Sequence, residues 1–206
     1  MIDYLRDPDA IYAASFAAIR AEAALSGLDP SLHDVAIRMM HASGMTDLAD
    51  SIRASEDVVS RVEFALVEGA PVLCDCEMVH AGIIARHLHG NELVVTLNDP
   101  GVPELARQMR TTRSAAAVER WGDRLAGAIV VIGNAPTALF HLLELLEAGA
   151  PEPAAIIGMP VGFVGAAESK ALLAESRWPH LTLLGRRGGS AMASAAFNAM
   201  ARGIAP

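Results

Sequence analysis

Apolar and polar positions change their rhythm near residue 70. Before it, the spacing is that of helices. Leu32, Val35, Ala36, Met39 and Met40 recur at three- and four-residue steps, which puts them on one buried face. Asp7-Pro8 opens a first helix, with an N-cap followed by Pro, and Gly27 is expected to close it. Asp29-Pro30 repeats that signal before a second helix stopped by Gly44. Ser55-Glu56-Asp57 opens a third, ended by Gly69. After residue 70, short apolar runs rich in β-branched residues appear at Pro71–Cys74, Leu93–Leu97, Ala128–Ile132, Ala154–Ile157 and Leu181–Leu184. A turn signal and a helical stretch follow each run.

Strands alternating with helices imply a parallel sheet joined by right-handed crossovers. The expected fold is α/β, a three-layer α/β/α, flavodoxin-like sheet of about five strands with an N-terminal helical segment. Residues 1–206 are read as one α/β domain, with a helical part over 1–70 and the sheet body over 71–206. Ligands of such sheets lie beyond the carboxyl ends of the strands. Cys74-Asp75-Cys76, Asn98–Gly101, Gly133–Thr137, Gly158–Gly162 and Gly185–Ser190 all fall there.

Composition narrows the picture. Apolar residues are 52% and charged residues 19% of the 206, which excludes a disordered chain. Net charge is −8, so no general nucleic-acid footprint exists, and an anionic ligand needs local Arg, Lys or helix N-termini. Cys74 and Cys76 are the two cysteines, too close for a disulfide framework and without a second pair for zinc. No apolar stretch is long enough for a membrane span, and the N-terminus lacks a signal-peptide pattern, so the cytoplasm is expected.

Several segments could carry chemistry. Asp34, Arg38 and His41 line one helix face at i, i+4 and i+7, which fits either an imidazole offered to a pocket or a surface ion pair beside an idle His. Gly133-Asn134-Ala135-Pro136-Thr137 places free N–H groups at a helix start, an anion site by geometry or a tight turn. The glycines of Gly158–Gly165 allow close approach of ligand or backbone, and Glu168 and Lys170 beyond them point in different directions. Arg186-Arg187-Gly188-Gly189-Ser190 suits a carboxylate or a solvated turn. Thr112-Arg113-Ser114 puts an Arg in a first helical turn, where the macrodipole disfavours it unless an anion is near. The fingerprints of dinucleotide, P-loop and serine-hydrolase sites are missing, and the spacing of His80, His87 and His89 gives no metal site.

Taken together, Gly133–Leu139, Gly158–Val164, Ala167-Glu168-Ser169-Lys170, Gly188-Gly189-Ser190, Arg38–Ala42, Thr112–Ala115 and Ile11-Tyr12 with Ser15-Phe16 resemble the precorrin-8X methylmutase family. The likeness runs in order from about Tyr4 to Ala201. It implies an isomerase of cobalamin biosynthesis that moves a methyl group from C-11 to C-12 on ring C, giving hydrogenobyrinic acid from precorrin-8X, or the cobalt counterpart of that product from the cobalt-containing substrate. It also implies a homodimer with shared active sites, no cofactor and no metal. His41 is then the proton donor and acceptor. Ser15, Arg38, Arg113, Ser114, Asn134, Thr137, Gly162, Phe163, Glu168, Lys170, Gly189 and Ser190 are then substrate-binding residues. The residues themselves fit a flat apolar macrocycle fringed with carboxylates: Met39, Met40, Met159, Val161 and Phe163 as walls, arginines and helix starts as anion holders. A tetrapyrrole carrier is the alternative. The apolar stripes of the N-terminal helices, Ile11, Phe16 and Ile19 or Val58, Val59 and Val62, have no sheet of their own to cover and point to a partner subunit.

Overall fold

The computed structural model describes residues 2–203. Its six strands are β1 (Ile52–Ala54), β2 (Val72–Cys74), β3 (Leu93–Val95), β4 (Ile129–Ile132), β5 (Ala155–Gly158) and β6 (His180–Leu183). They lie in one sheet in the order β1-β6-β5-β4-β2-β3. β2 to β6 are parallel, and their order is that of a doubly wound, flavodoxin-like sheet, whose winding reverses between β2 and β4. β1 is the difference from the expected five. It runs antiparallel along β6, with Ile52 opposite Leu183 and Ala54 opposite Leu181. The stretch before residue 70 is therefore not purely helical. Its short Ile-Arg-Ala segment becomes a strand only because β6 offers an edge to pair with.

Residue alternation sends the strands' side chains to two cores. Val72, Cys74, Val131, Ile157 and Leu181 face one helical layer. Leu73, Val130, Ile132 and Ile156 face the other, together with both tryptophans, Trp121 and Trp178. The second layer holds α6 (Arg113–Glu119), α7 (Pro136–Glu147) and α8 (Ala166–Glu175), with α5 (Val102–Met109) packed on α6.

The first layer centres on α9 (Ser190–Arg202), which is buried along most of its length among the sheet, α2 (His33–Ser43), α3 (Val58–Val67) and α4 (Glu77–Gly82). Its many Ala and Ser residues let those neighbours come close. Asn198 satisfies its buried amide by donating to the Gly82 carbonyl at 2.8 Å and accepting from the Ile84 N–H at 2.9 Å. α1 (Pro8–Glu22) packs on α2, and Phe16, Ile19, Val58 and Val62, expected to need a partner subunit, are buried in the chain's own core because α1 to α3 close over α9 and the sheet; Ile11 alone of those stripes is exposed. Asp7 caps α1, accepting from Asp9 and Ala10 at 2.9 and 3.2 Å. The helix stops at Glu22, short of the expected Gly27, because Ala23 turns extended and lets Leu25 and Leu28 lie against the core. Gly44, at φ +69°, closes α2 as expected.

Candidate active site

His41 sits in the last turn of α2, and α1 supplies its surroundings. Its Nδ1 lies 2.9 Å from the Ser15 hydroxyl. The Phe16 ring is 5.0 Å from the imidazole and the Tyr12 ring 5.8 Å, with Tyr12 stacked on Phe16 at 4.4 Å. Ser15, Tyr12 and Phe16 follow from helical spacing, since steps of three and four share a face. His41 is exposed, and its Nε2 has no hydrogen-bond partner among the described residues. Arg38 lies one turn earlier with its guanidinium 5.6 Å from the Phe16 centroid. Asp34 turns instead to Arg20, at 3.7 Å. The expected Asp34–Arg38–His41 face thus holds as a face, while the direct partners of His41 come from α1.

A second cluster lies at the carboxyl ends of β3 and β4. Arg113 donates to the Leu97 carbonyl at 3.2 Å and to Asn98 Oδ1 at 2.8 Å. Thr112 caps α6 through the Ala115 N–H, and its hydroxyl meets that of Thr137 at 2.7 Å. This contact ties the first turns of α6 and α7 together, bringing Arg113 and Ser114 beside Thr137; Asn134, on the turn into α7, is exposed.

The expected backbone anion site before α7 is already filled. Asp75, just past β2, accepts from the N–H groups of Gly133, Asn134 and Ala135 at 3.0, 2.9 and 2.9 Å. Burial pushes its carboxyl up, and the three donors pull the other way. Sequence reasoning gave Asp75 no role. Its signal was a lone acid directly after a fully apolar strand, one strand away from a Gly-x-Ala-Pro turn.

The third group surrounds the loops after β5 and β6. Gly162 donates its N–H to the Arg186 carbonyl at 3.2 Å, and the Arg186 guanidinium lies 5.4 Å from the Phe163 ring. Phe163 and Val164 are 85% and 88% exposed. Glu168 is exposed, whereas Lys170 is fully buried and donates to the Arg187 carbonyl. Burial pushes the Lys170 ammonium down to about 8. The Arg187 side chain reaches Asp47 at 2.7 Å, linking this loop to the segment after α2. Gly189 donates to the Met159 carbonyl at 2.8 Å, and a Cβ on Gly188 would strike that same oxygen. Ser190, at the start of α9, is buried with its hydroxyl 3.5 Å from Cys76 Sγ. A Cβ on Gly133 would come within 2.7 Å of Ser190 Cα, so glycine there is what lets α9 begin against the end of β4.

Among the described residues no hydrogen bond or ring contact joins His41 to Arg113, Asn134, Thr137, Phe163 or Ser190. The same residues contain no cluster of three or more His, Cys, Asp or Glu that could hold a metal ion. Both thiols are buried and free, and burial pushes both upward. No described helix is long and apolar enough to cross a membrane.

The sequence profile described as Precorrin-8X methylmutase matches residues 10–203. The chain belongs to the precorrin-8X methylmutase family. It is an isomerase of cobalamin biosynthesis. A precorrin-8X methylmutase from Pseudomonas aeruginosa is 54% identical over 204 residues, covering 98% of each chain. One from Sinorhizobium sp is 56% identical over 203 residues, covering 97% of each. The solved structure of a precorrin-8X methylmutase from Thermus thermophilus superposes with a TM-score of 0.85 at 39% identity, over 94% of this chain and 95% of that one. The methylmutase fold therefore spans the N-terminal helices as well as the sheet, so His41 and the strand-end loops belong to one shared architecture.

Proposed function

We propose that this chain moves a methyl group from C-11 to C-12 on ring C of precorrin-8X, giving hydrogenobyrinic acid, with His41 as proton donor and acceptor. The bond from the methyl group to C-11 breaks and one to C-12 forms. No atom is gained or lost. The protein's work is to select a tautomer, move a proton on the ring and hold the conjugated system in its reactive shape. The observation that carries the role of His41 is its pairing with Ser15 at 2.9 Å, which fixes one ring nitrogen and leaves the other open beside Tyr12 and Phe16. The cobalt-free substrate is favoured by likeness. The relatives named for precorrin-8X are 54% and 56% identical, those named for cobalt-precorrin-8 between 30% and 38%. The reaction takes place in the cytoplasm.

Substrate and product have the same mass, so the absorbance spectrum is the readout. Purified protein given precorrin-8X should convert it, and His41→Ala should lower the rate by roughly two to four orders of magnitude while still binding product. Wild-type protein that binds the tetrapyrrole without rearranging it would be a carrier instead.

The working unit in this reading is a homodimer. His41, Ser15 and Arg38 of one chain complete a site with Arg113, Ser114, Asn134, Thr137, Gly162, Phe163, Glu168, Gly189 and Ser190 of the other; Lys170, expected to bind substrate, is fully buried on the Arg187 carbonyl and instead supports that loop from beneath. Two observations support it. Among the described residues His41 has no hydrogen bond or ring contact with the second set, and apolar side chains stand exposed on both surfaces, Ile11 and Tyr12 at 45% and 42%, Phe163 and Val164 at 85% and 88%. Mixing inactive His41→Ala and Arg113→Ala proteins should restore activity on subunit exchange. Proven exchange without recovery rejects shared sites.

A further inference from the structure

We propose that the cavity between α1, α2 and the last turn of α9 anchors peripheral carboxylates of the macrocycle, with Arg202 as its principal anion holder. The inference rests on the tetrapyrrole reading above and extends it to Arg20 and Arg202, which no sequence motif singled out.

The cavity has a volume of about 710 Å³, and its lining includes Tyr12, Phe16, Arg20, Asp34, Arg38 and Arg202. That is the size and mixed character of a small-molecule site. It adjoins His41 through Phe16, which lines it. One side of that ring meets His41 at 5.0 Å, and the guanidiniums of Arg20 and Arg38 lie 5.8 and 5.6 Å from its centroid. An aromatic wall with cations along it matches a flat ring that carries acids on its rim.

The charge is unbalanced in the direction such a ligand needs. Arg20 is met by Asp34 at 3.7 Å, an exposed pair that holds neither group strongly. Arg38 and Arg202 form no ion pair among the described residues. His87, 7% exposed, lies in the same field: burial first, and then Arg86, Arg38 and Arg202, oppose its protonation, and its Nδ1 has no partner among the described residues. In a chain of net charge −8, the lining sets three arginines, Arg20, Arg38 and Arg202, against Asp34, with the Glu63 carboxylate beside Gly203 at its edge, and so keeps a local excess of positive charge. Guanidinium groups grip carboxylates through paired N–H donors, and the grip strengthens when the ligand's body excludes water. With ring C at His41, the acetate and propionate arms of neighbouring rings fall along this arginine row.

The test is a titration of purified protein with hydrogenobyrinic acid, followed by absorbance at two salt concentrations, beside steady-state turnover of precorrin-8X. Arg202→Ala should raise the product Kd ten- to a hundredfold, raise KM more than it lowers kcat, and flatten the salt dependence. Arg202→Lys should recover part of the loss. Arg177→Ala, whose side chain pairs with Glu152 at the end of α8, should behave as wild type. Arg202 is exposed, and an unchanged melting temperature confirms folding of each variant. An active wild type whose Arg202→Ala and Arg20→Ala/Arg202→Ala variants bind product within twofold overturns the subsite alone. A wild type that neither binds product nor turns over substrate overturns the tetrapyrrole reading, and the subsite with it.

Discussion

The Asp75 carboxylate lies 2.9 Å from the backbone nitrogen of Asn134, and the N–H groups of Gly133 and Ala135 converge on the same side chain. The helix start that looks from sequence like an open anion site is thus closed from within. Asp75→Ala strands three donors in a buried place, and should cost about 3 kcal/mol or more of stability. Urea unfolding measures it. A loss below about 0.5 kcal/mol would mean that water replaces the carboxylate without penalty.

Lys170 gives a pH signature. Its folded-state pKa, about 8, is below the ordinary 10.5. Below about 8 both folded and unfolded chains hold the proton, and the folded chain bears the cost of a buried charge. Between about 8 and 10.5 the folded chain releases its proton while the unfolded chain keeps it, so stability rises with pH. Relative to Lys170→Met, the wild type should gain on the order of 2–3 kcal/mol across that window. Unfolding curves for both proteins at pH 7, 9 and 10.5 check it; a constant difference would contradict the buried-charge account.

Gly133 is the contact point between β4 and α9. Gly133→Ala places a methyl against Ser190 Cα and the Val79 and Ala193 side chains, so α9 must shift. The expected cost is about 1–3 kcal/mol in stability. Activity should fall further than stability explains, because the Gly189–Ser190 loop moves with the helix. Equal activity per folded molecule would show that the loop position is unimportant.

In the proposed mechanism Ser15 acts through His41. Ser15→Ala frees Nδ1 and allows the imidazole to change tautomer and tilt. The rate should fall about three- to thirtyfold, with an altered pH profile and with Ser15→Thr recovering part of the loss. An unchanged pH–rate curve would make the contact incidental.

The sequence made the five parallel strands legible because each is a short apolar run between turn signals, buried on both faces in all but the edge strand β3. β1 was not legible. Three residues of mixed polarity carry no period, and their pairing with Leu181–Leu183 depends on chain more than 120 residues away. His41 and Ser15 were each identified, yet their contact comes from the packing angle of α1 on α2, which no spacing encodes. Glu168 and Lys170 were expected to point apart, and one is exposed and the other buried. The burial of Lys170 beneath the Arg187 carbonyl, and the arrival of Arg202 beside Arg38, both follow from tertiary placement alone.

Trp121 and Trp178, the two tryptophans, lie in the helical layer across the sheet from His41. Their emission is therefore an uneven witness. A fluorescence melt registers the loss of the α6–α8 side and passes silently over any local opening of α1 and α2, where the candidate chemistry resides. A bound corrinoid would be seen by these indoles through long-range energy transfer, not contact, so quenching reports occupancy and says nothing of how the pigment is held. Tyr12, stacked on Phe16 beside His41, is the native aromatic reporter placed to sense that side.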